Sequence, residues 1–317
     1  MVNWIDRRMS RRQCLALLAG AATTAIMPGF CLGQNDPRVL CVGVSTDTLA
    51  GANINDARAA YKVWIQEVSR TLGRVIAQVI PDIFVPSEQM IRMIRQGTID
   101  CFGITAPEYA KVADFIDPDS MILQDYLADG VEYVLVVHNN STYKKLEDLR
   151  GAQLVVHHHR DMALAPAWLG TLLAKNHLPP PEHFFGDQLL RDSLTQVVLP
   201  VFFRRLDAAC LLRTHWETAV ELNPQLGREL RFLAVSPKLV PILICFRRKC
   251  NPEGKRILTD AILRISSLPG GQQIVALYQA RGFVERPGSV MKSALELLRQ
   301  YEGVLANLPA APQKGRS

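Results

Sequence analysis

Met121-Ile-Leu-Gln-Asp-Tyr-Leu127 and Val131-Glu-Tyr-Val-Leu-Val-Val-His138 are apolar, strand-like runs separated only by Ala128, Asp129 and Gly130. No helix fits in that gap, so the alternation of strands and helices upstream stops here. That upstream series opens with Val39–Ser45, a short continuous apolar run of the kind a buried parallel strand needs. A helix follows over 56–72, with Ala59, Val63, Trp64, Val68 and Leu72 expected on its buried face, then a strand over 74–80. Ser87–Gln96 reads as a helix beginning after Pro86, with Glu88 in its first turn; a strand over 99–105 and a helix over 107–112 complete the series. Downstream of His138 a second series begins: strand 152–157, helix 161–176, a strand near Phe184, helix 192–205, strand 207–212, helix 216–222 and strand 230–235. An apolar strand over 240–246 and three helical segments up to Glu302 close the chain. Two such units joined by extended segments predict an α/β, two-lobed protein, each lobe a doubly wound sheet, with a cleft between them. The expected boundaries are 34–136 for lobe one, 137–239 for lobe two, 240–302 for a return to lobe one with C-terminal helices, and 303–317 for a flexible tail.

The composition agrees with a folded chain. Of 317 residues 48% are hydrophobic and 21% charged, which excludes a disordered chain, and seven cysteines are too few for a disulfide scaffold. Arg7, Arg8, Arg11 and Arg12 precede an uncharged, Ala- and Leu-rich run, then Pro28, Gly29 and the small-residue exit Cys31-Leu32-Gly33. Residues 1–33 therefore read as a secretory signal peptide, with Ser10-Arg11-Arg12 resembling the twin-arginine signal; an uncleaved membrane anchor is the alternative. Removing 1–33 halves the formal net charge from +6 to +3, because four Arg and Asp6 leave with it. A nucleic-acid partner is excluded on that ground. Of the cysteines beyond residue 33, Cys41, Cys101, Cys210 and Cys245 read as small buried hydrophobes. A bridge between Cys245 and Cys250 is left open, and no spacing points to zinc or redox work.

Within this frame several segments resemble a known family. Glu132-Tyr-Val-Leu-Val-Val-His-Asn-Asn-Ser141 followed by Leu146-Glu-Asp-Leu-Arg-Gly151 is similar to the hinge strand and "S-x-x-x-x-L-x-D-L-K-G" turn of type 2 periplasmic binding proteins. Gln96-Gly-Thr-Ile-Asp100, with Gly103 and Tyr109, resembles the "G-x-x-D" strand and "G-P-x-x-Y" loop of their phosphate, phosphite and phosphonate branch. Arg205-Leu-Asp207-Ala-Ala resembles that branch's "G-x-V-D-A" strand, with Arg205 in place of the glycine. The resemblance implies a periplasmic receptor that catches a small anionic or zwitterionic solute by hinge closure and delivers it to an ABC permease, with no enzymatic activity and no cofactor. A subunit feeding a membrane sensor, an enzyme or a metal-binding protein on the same fold are the alternatives. In that branch a "D-P-x-S-T-S-G" segment opens a second-lobe helix and holds the oxyanion. Here Val156-His157-His158-His159-Arg160-Asp161-Met162 stands in its place, with Pro166 marking the register.

Ligands of open α/β sheets bind beyond the carboxyl ends of strands, so the loops after Ser45, Thr105, His157 and Leu212 are the candidates. The first offers Thr46, Asp47 and Thr48, and the second Thr105 and Tyr109. Tyr133 in the hinge strand is placed to reach the cleft. His157 and His159 share one face of an extended segment, as polar ligand contacts or, with Asp161, as metal ligands. Arg160 is a candidate bidentate clamp on a carboxylate or phosphate, and Asp161 is a good N-cap. Asp207 begins the strand whose far end carries Arg213, a candidate anion partner, and His215. Trp64, Trp168, Phe202 and Phe203 read as core. No nucleophile elbow, P-loop or dinucleotide fingerprint is present.

Overall fold

In the computed structural model residues 39–50, 53–72, 75–78, 83–268 and 270–307 are described. The expected signal peptide and the end of the expected tail lie outside them. No helix among the described residues is long and apolar enough to cross a membrane. In chain order the first elements are β1 (Val39–Ser45), α1 (Ile54–Leu72), β2 (Val75–Gln78), β3 (Phe84–Val85), α2 (Ser87–Gln96), β4 (Cys101–Thr105), α3 (Ala106–Val112) and β5 (Ile116–Gln124). Then come β6 (Tyr133–His138), β7 (Leu154–His157), α4 (Ala165–Lys175), α5 (Pro181–Phe184), β8 (Gln188–Arg191), α6 (Leu194–Phe202), β9 (Ala208–Leu212), α7 (Arg213–Leu222), α8 (Pro224–Glu229) and β10 (Leu230–Val235). The chain ends with β11 (Ile242–Arg247), α9 (Pro252–Leu263), α10 (Gly271–Leu277), β12 (Phe283–Arg286) and α11 (Lys292–Ala306).

The strands form two sheets. The first has the order β12-β5-β11-β4-β1-β2, with β3 also on β1; the second has β10-β6-β9-β7-β8. In each, a parallel set (β2, β1, β3 and β4; β9, β7 and β8) is extended by antiparallel strands. Central strands are buried on both faces, as β4, β6 and β9 are along their whole lengths, with apolar residues at every position but Thr105 and His138, which end β4 and β6, and Gly103.

The chain passes between sheets twice at strand level, over 125–132 and 236–241. The two crossings pair with each other: Val131 N donates to Leu239 O at 2.8 Å and Leu239 N to Val131 O at 2.9 Å. Gly130 enters this pairing with φ of +76°, and a Cβ there would stand 3.0 Å from the Leu239 nitrogen. Glycine alone meets both conditions without strain. Because β6 lies wholly in the second sheet, the chain changes lobe before Tyr133, ahead of the expected 136/137 border. One buried cluster runs from Ile104 and Leu123 through Leu127, Val131 and Leu239 to Leu135, Leu154 and Trp168. The helix α11 packs on both α3 and α4.

Several local expectations are corrected. The buried face of α1 is Ala57, Tyr61, Trp64, Ile65 and Val68, while Ala59 and Val63 face solvent. Around Phe184 the prolines set a short helix, α5, and the strand comes later, as β8. The strand expected over 121–127 is β5, and Asp125–Leu127 is a 3-10 turn. The edge strand β12 was not expected, and α11 continues past Gly303 to Ala306. Trp64 and Trp168 are core, but Phe203 is 59% exposed and Phe202 half-buried, at the end of α6. Cys41 is disulfide-bonded, whereas Cys245 and Cys250 are both free thiols. The sulfur of Cys245 faces Met121 inside the first sheet, so the bridge left open by the sequence does not form.

Candidate functional site

The segment after β7 turns sharply because its side chains satisfy its own backbone. His159 is extended and caps a 3-10 turn, Arg160–Met162, its Nδ1 accepting from the Asp161 amide at 3.3 Å. Tyr133, fully buried, donates its hydroxyl to Asp161 O at 2.8 Å and accepts from the Leu164 amide at 3.4 Å. The turn is tied to the first lobe as well. Arg160 N donates to Ala50 O at 3.1 Å, and Tyr126, in the turn after β5, donates to Asp161 Oδ2 at 2.9 Å.

Arg160 is 3% exposed and its guanidinium lies over the ring of Tyr278, 5.1 Å from the centroid. Its Nε is 4.0 Å from Asp161 Oδ1. Even so, Nε and Nη2 of Arg160 and Oδ1 of Asp161 have no hydrogen-bond partner among the described residues. Leaving a buried charged group short of partners costs about 1–3 kcal/mol or more per group. Burial pushes the Asp161 carboxyl up to about 6 despite the neighbouring guanidinium. Two cavities meet at this loop. One, of about 500 Å³, is lined by His157, His158, His159 and Arg160 with Asp56, Asp192 and His215. The other, of about 350 Å³, is lined by the same four with Asp47, Thr105, Glu108 and Lys111 of the first lobe.

Three imidazoles cluster beside the guanidinium. Ring centroids are 5.5 Å apart for His157 and His159, 5.0 Å for His157 and His215, and 4.8 Å for His159 and His215. His157 Nε2 faces Asp192 O at 3.3 Å, so it carries the proton; His157 Nδ1 then accepts from His215 Nδ1 at 3.2 Å. His159, accepting at Nδ1, keeps its proton on Nε2. Burial, with the other imidazoles and Arg160 nearby, holds His159 down to about 2 and His215 to about 4; burial also lowers His157. At neutral pH the cluster is thus uncharged and Arg160 is the local cation. The imidazole nitrogens that face one another or the backbone are used in hydrogen bonds, and no group of three His, Cys, Asp or Glu among the described residues is arranged to hold a metal ion.

Comparison with known proteins fixes the class. The family described as "ABC transporter, phosphonate, periplasmic substrate-binding protein" matches residues 52–287, well over half of the chain. The chain belongs to this family. A phosphonate-transporter substrate-binding protein acts by binding, not catalysis, and the family implies a periplasmic location and an ABC permease as partner. No curated protein matches significantly. Among solved structures, the binding protein component of a Pseudomonas aeruginosa ABC phosphonate transporter is 17% identical, with a TM-score of 0.54 over 86% of this chain and 90% of that one. PhnD1 of Prochlorococcus marinus, solved with methylphosphonate, is 18% identical, with a TM-score of 0.56 over 84% of this chain and 99% of that one. A Xanthomonas citri protein solved with ATP is 17% identical, with a TM-score of 0.58 over 86% of this chain and 100% of that one. These similarities carry the two-lobed fold.

Against this background the residues singled out by sequence divide into two groups. His157, His159, Arg160, Asp161, Asp47 and Thr105 meet where the lobes face each other. The Thr105 amide and hydroxyl are already spent on Glu108 Oε2, at 2.7 and 2.8 Å. Thr46 lies in the same turn as Asp47 but lines neither cavity, and Thr48 is buried, its hydroxyl donating to Ser45 O at 2.8 Å. Tyr109 is in the first-lobe core, and Tyr133 supports the loop from behind. Asp207 lies at the amino end of β9, away from the cleft. Its carboxylate accepts from the Tyr143 hydroxyl and the Gln153 amide, both at 2.8 Å, and anchors the start of β7. Arg213 is bound to Glu132 at 3.0 Å and Glu217 at 3.1 Å, which fastens α7 to the crossing segment. Sequence reasoning missed Tyr126, Tyr278, Glu108, Lys111 and Asp192, each brought in by a distant part of the chain.

Proposed function

We propose that this protein captures a small phosphorus oxyanion, phosphonate or phosphate-like, at Arg160 and delivers it to an ABC permease. The observation that carries the reading is the buried guanidinium at the lobe junction with Nε and Nη2 unpaired. An oxyanion supplies two acceptors side by side, the geometry a guanidinium edge takes in bidentate pairing. The Nε2–H of neutral His159 adds a second donor without adding charge. The family's serine- and threonine-rich anion loop is thus replaced by one cation and imidazole donors. The turn after β1 and the Arg160 loop come from different lobes, so an anion lodged between them favours the closed arrangement over the open one. The Ala50–Arg160 and Tyr126–Asp161 hydrogen bonds are contacts that such closure makes.

The test is calorimetric titration and thermal melting of the purified protein with methylphosphonate, phosphate, phosphite and sulfate. A phosphorus oxyanion should raise the melting temperature. Arg160→Lys, which keeps the charge but loses the fork, should weaken its binding by about tenfold or more. If none of these anions binds, or Arg160→Lys binds as wild type does, the reading fails.

A further inference from the structure

The second sheet carries a cavity at its other end. Tyr133 of β6 pairs with Leu212 at the cleft end of β9, and Val137 with Ala208 at the opposite end, so His138 lies at the end of the sheet remote from Arg160. There α6 ends and α8 runs into β10, whose Leu230 pairs with His138. A cavity of about 440 Å³ lies among them, its wall including His138, Phe202, Phe203, Arg204, Arg228 and Glu229. It shares no residue with the two cavities at Arg160. Three of its groups are unspent donors. The guanidiniums of Arg204 and Arg228 have neither an ion pair nor a hydrogen bond among the described residues. His138 is 5% exposed and its Nδ1 accepts from the Asn140 amide at 3.0 Å, so the proton sits on Nε2. That N–H has no hydrogen-bond acceptor among the described residues, Glu229 Oε2 being 3.8 Å away. Burial, and Arg204 after it, hold the imidazole below its ordinary value, so it is a neutral donor at neutral pH. Arg204 also stands where a glycine is usual. Its amide donates to Val201 O at 3.1 Å and that of Arg205 to Pro200 O at 2.7 Å, closing α6 with Arg204 at φ of +54°. Glycine fills that left-handed position without strain, so an arginine is kept there against the backbone preference. Phe203, beside it, is 59% exposed, its ring edge-on to Phe202 with centroids 5.1 Å apart.

We propose that this cavity is a second ligand site, separate from the cleft, and that it takes a phosphate monoester whose apolar or aromatic group lies on Phe203. The inference does not rest on the reading of Arg160. Two guanidiniums and an imidazole N–H place three donor groups around one cavity, and a phosphate monoester presents three terminal oxygens to share among them. A carboxylate or a phosphodiester presents two. A sulfonate presents three but carries a single charge, against two guanidiniums. Glu229, the one acid in the wall, is 48% exposed, where solvent screens it. The cavity falls in the range of about 300–1,000 Å³ that small organic ligands occupy, and inorganic phosphate would leave the Phe203 ring uncovered.

Calorimetry on the purified protein with phenyl phosphate, inorganic phosphate and benzenesulfonate tests this. Arg204→Gly and Arg228→Gln should each weaken phenyl phosphate by about tenfold or more and leave methylphosphonate within about twofold of wild type. Glycine suits the left-handed backbone at position 204, so that variant should melt at or above the wild-type temperature and its loss of binding is not a loss of fold. Phenyl phosphate should bind the wild type about tenfold tighter than benzenesulfonate, for its second charge, and several-fold tighter than inorganic phosphate, for its ring. Co-sedimentation with phosphatidylcholine vesicles containing phosphatidic acid, abolished by Arg204→Gly, would assign the monoester to a lipid headgroup; its absence would assign it to a soluble ligand. The site is overturned if phenyl phosphate does not bind the wild type, or binds both variants as it binds the wild type. It is overturned as well if Arg160→Lys weakens phenyl phosphate and Arg204→Gly does not, because the ligand then sits in the cleft. Failure of methylphosphonate to bind would overturn the Arg160 reading and leave this site standing.

Discussion

Arg160 and Asp161 are adjacent in the chain, both almost fully buried, and only loosely paired, with 4.0 Å between Nε and Oδ1. Such a pair is costly to hold, and removing one member strands the other. Arg160→Met should therefore lower the stability of the ligand-free protein by about 1–3 kcal/mol, because Asp161 loses its neighbouring cation. Adding Asp161→Asn, which keeps an acceptor for the Tyr126 hydroxyl, should restore stability to the wild-type level or above it. Melting temperatures at neutral pH should rank the double variant at or above wild type and Arg160→Met below both. A double variant less stable than Arg160→Met would show that the two charges support the fold and are not held for a ligand. The candidate loop is legible at this scale because His157, His159, Arg160 and Asp161 follow directly on a strand. For Asp207 and Arg213 the sequence does not reveal that the side chains are engaged within the protein. Their partners Tyr143 and Glu132 stand 64 and 81 residues away. Separation in sequence also hides Tyr126, 35 residues from its partner Asp161, and Tyr278, farther still from Arg160.

The element that shapes the site is the turn between β7 and α4, and it is held from behind by β6. The Tyr133 hydroxyl both donates to the Asp161 carbonyl and accepts from the Leu164 amide. Tyr133→Phe keeps the ring against Trp168 and leaves those two backbone groups without their partner. The expected cost is about 1–3 kcal/mol of stability, with a several-fold loss of anion affinity as the turn loosens. Chemical denaturation and calorimetry on that variant check both; unchanged anion affinity at reduced stability would confine Tyr133 to a packing role. Elements with strong local signals lie where their patterns place them: the apolar run of β1, the helix after Pro86 and the strand β10. The strand β12 is not legible in the same way, because Phe283–Arg286 is short, half-polar and paired on one side only, with β5. In α1, a buried stripe placed on Ala59 and Val63 in place of Ala57 and Tyr61 turns the face away from the core. The 3.6-residue period fixes the spacing of a stripe and leaves its phase to whichever residues have a core to meet.

At the scale of the whole molecule, the site joins two sheets through a cluster of groups that fold into unusual protonation states, so acid stability reports on it. His159 and His215 are lowered to about 2 and about 4, and His157 is lowered in the same direction. In the unfolded chain each would titrate near 6.5. As pH falls below that value the unfolded state takes up these protons and the folded state does not, so each histidine costs about 1.4 kcal/mol per pH unit down to its folded value. Asp161 acts in the opposite sense. Its folded carboxyl, raised to about 6, takes up a proton between about 6 and 4 that the unfolded chain does not, which stabilises the fold as pH falls. The Arg160 guanidinium lies beside the cluster, and Asp192, bonded to His158 at 2.6 Å, flanks it on the other side. Two to three histidines oppose one carboxyl, so the net slope between about pH 6 and about pH 4.5 is a loss of at least about 1.4 kcal/mol per unit. The melting temperature of the ligand-free protein should drop by about 3–6 °C per pH unit over that window. In a His159→Gln, His215→Gln variant the loss of stability over this window should be smaller, because the two largest histidine contributions are gone. A wild-type melting temperature that holds or rises from about pH 6.5 to about pH 4.5 would mean that the imidazoles are protonated in the folded cleft, and with them the neutral donor assigned to His159 would be lost.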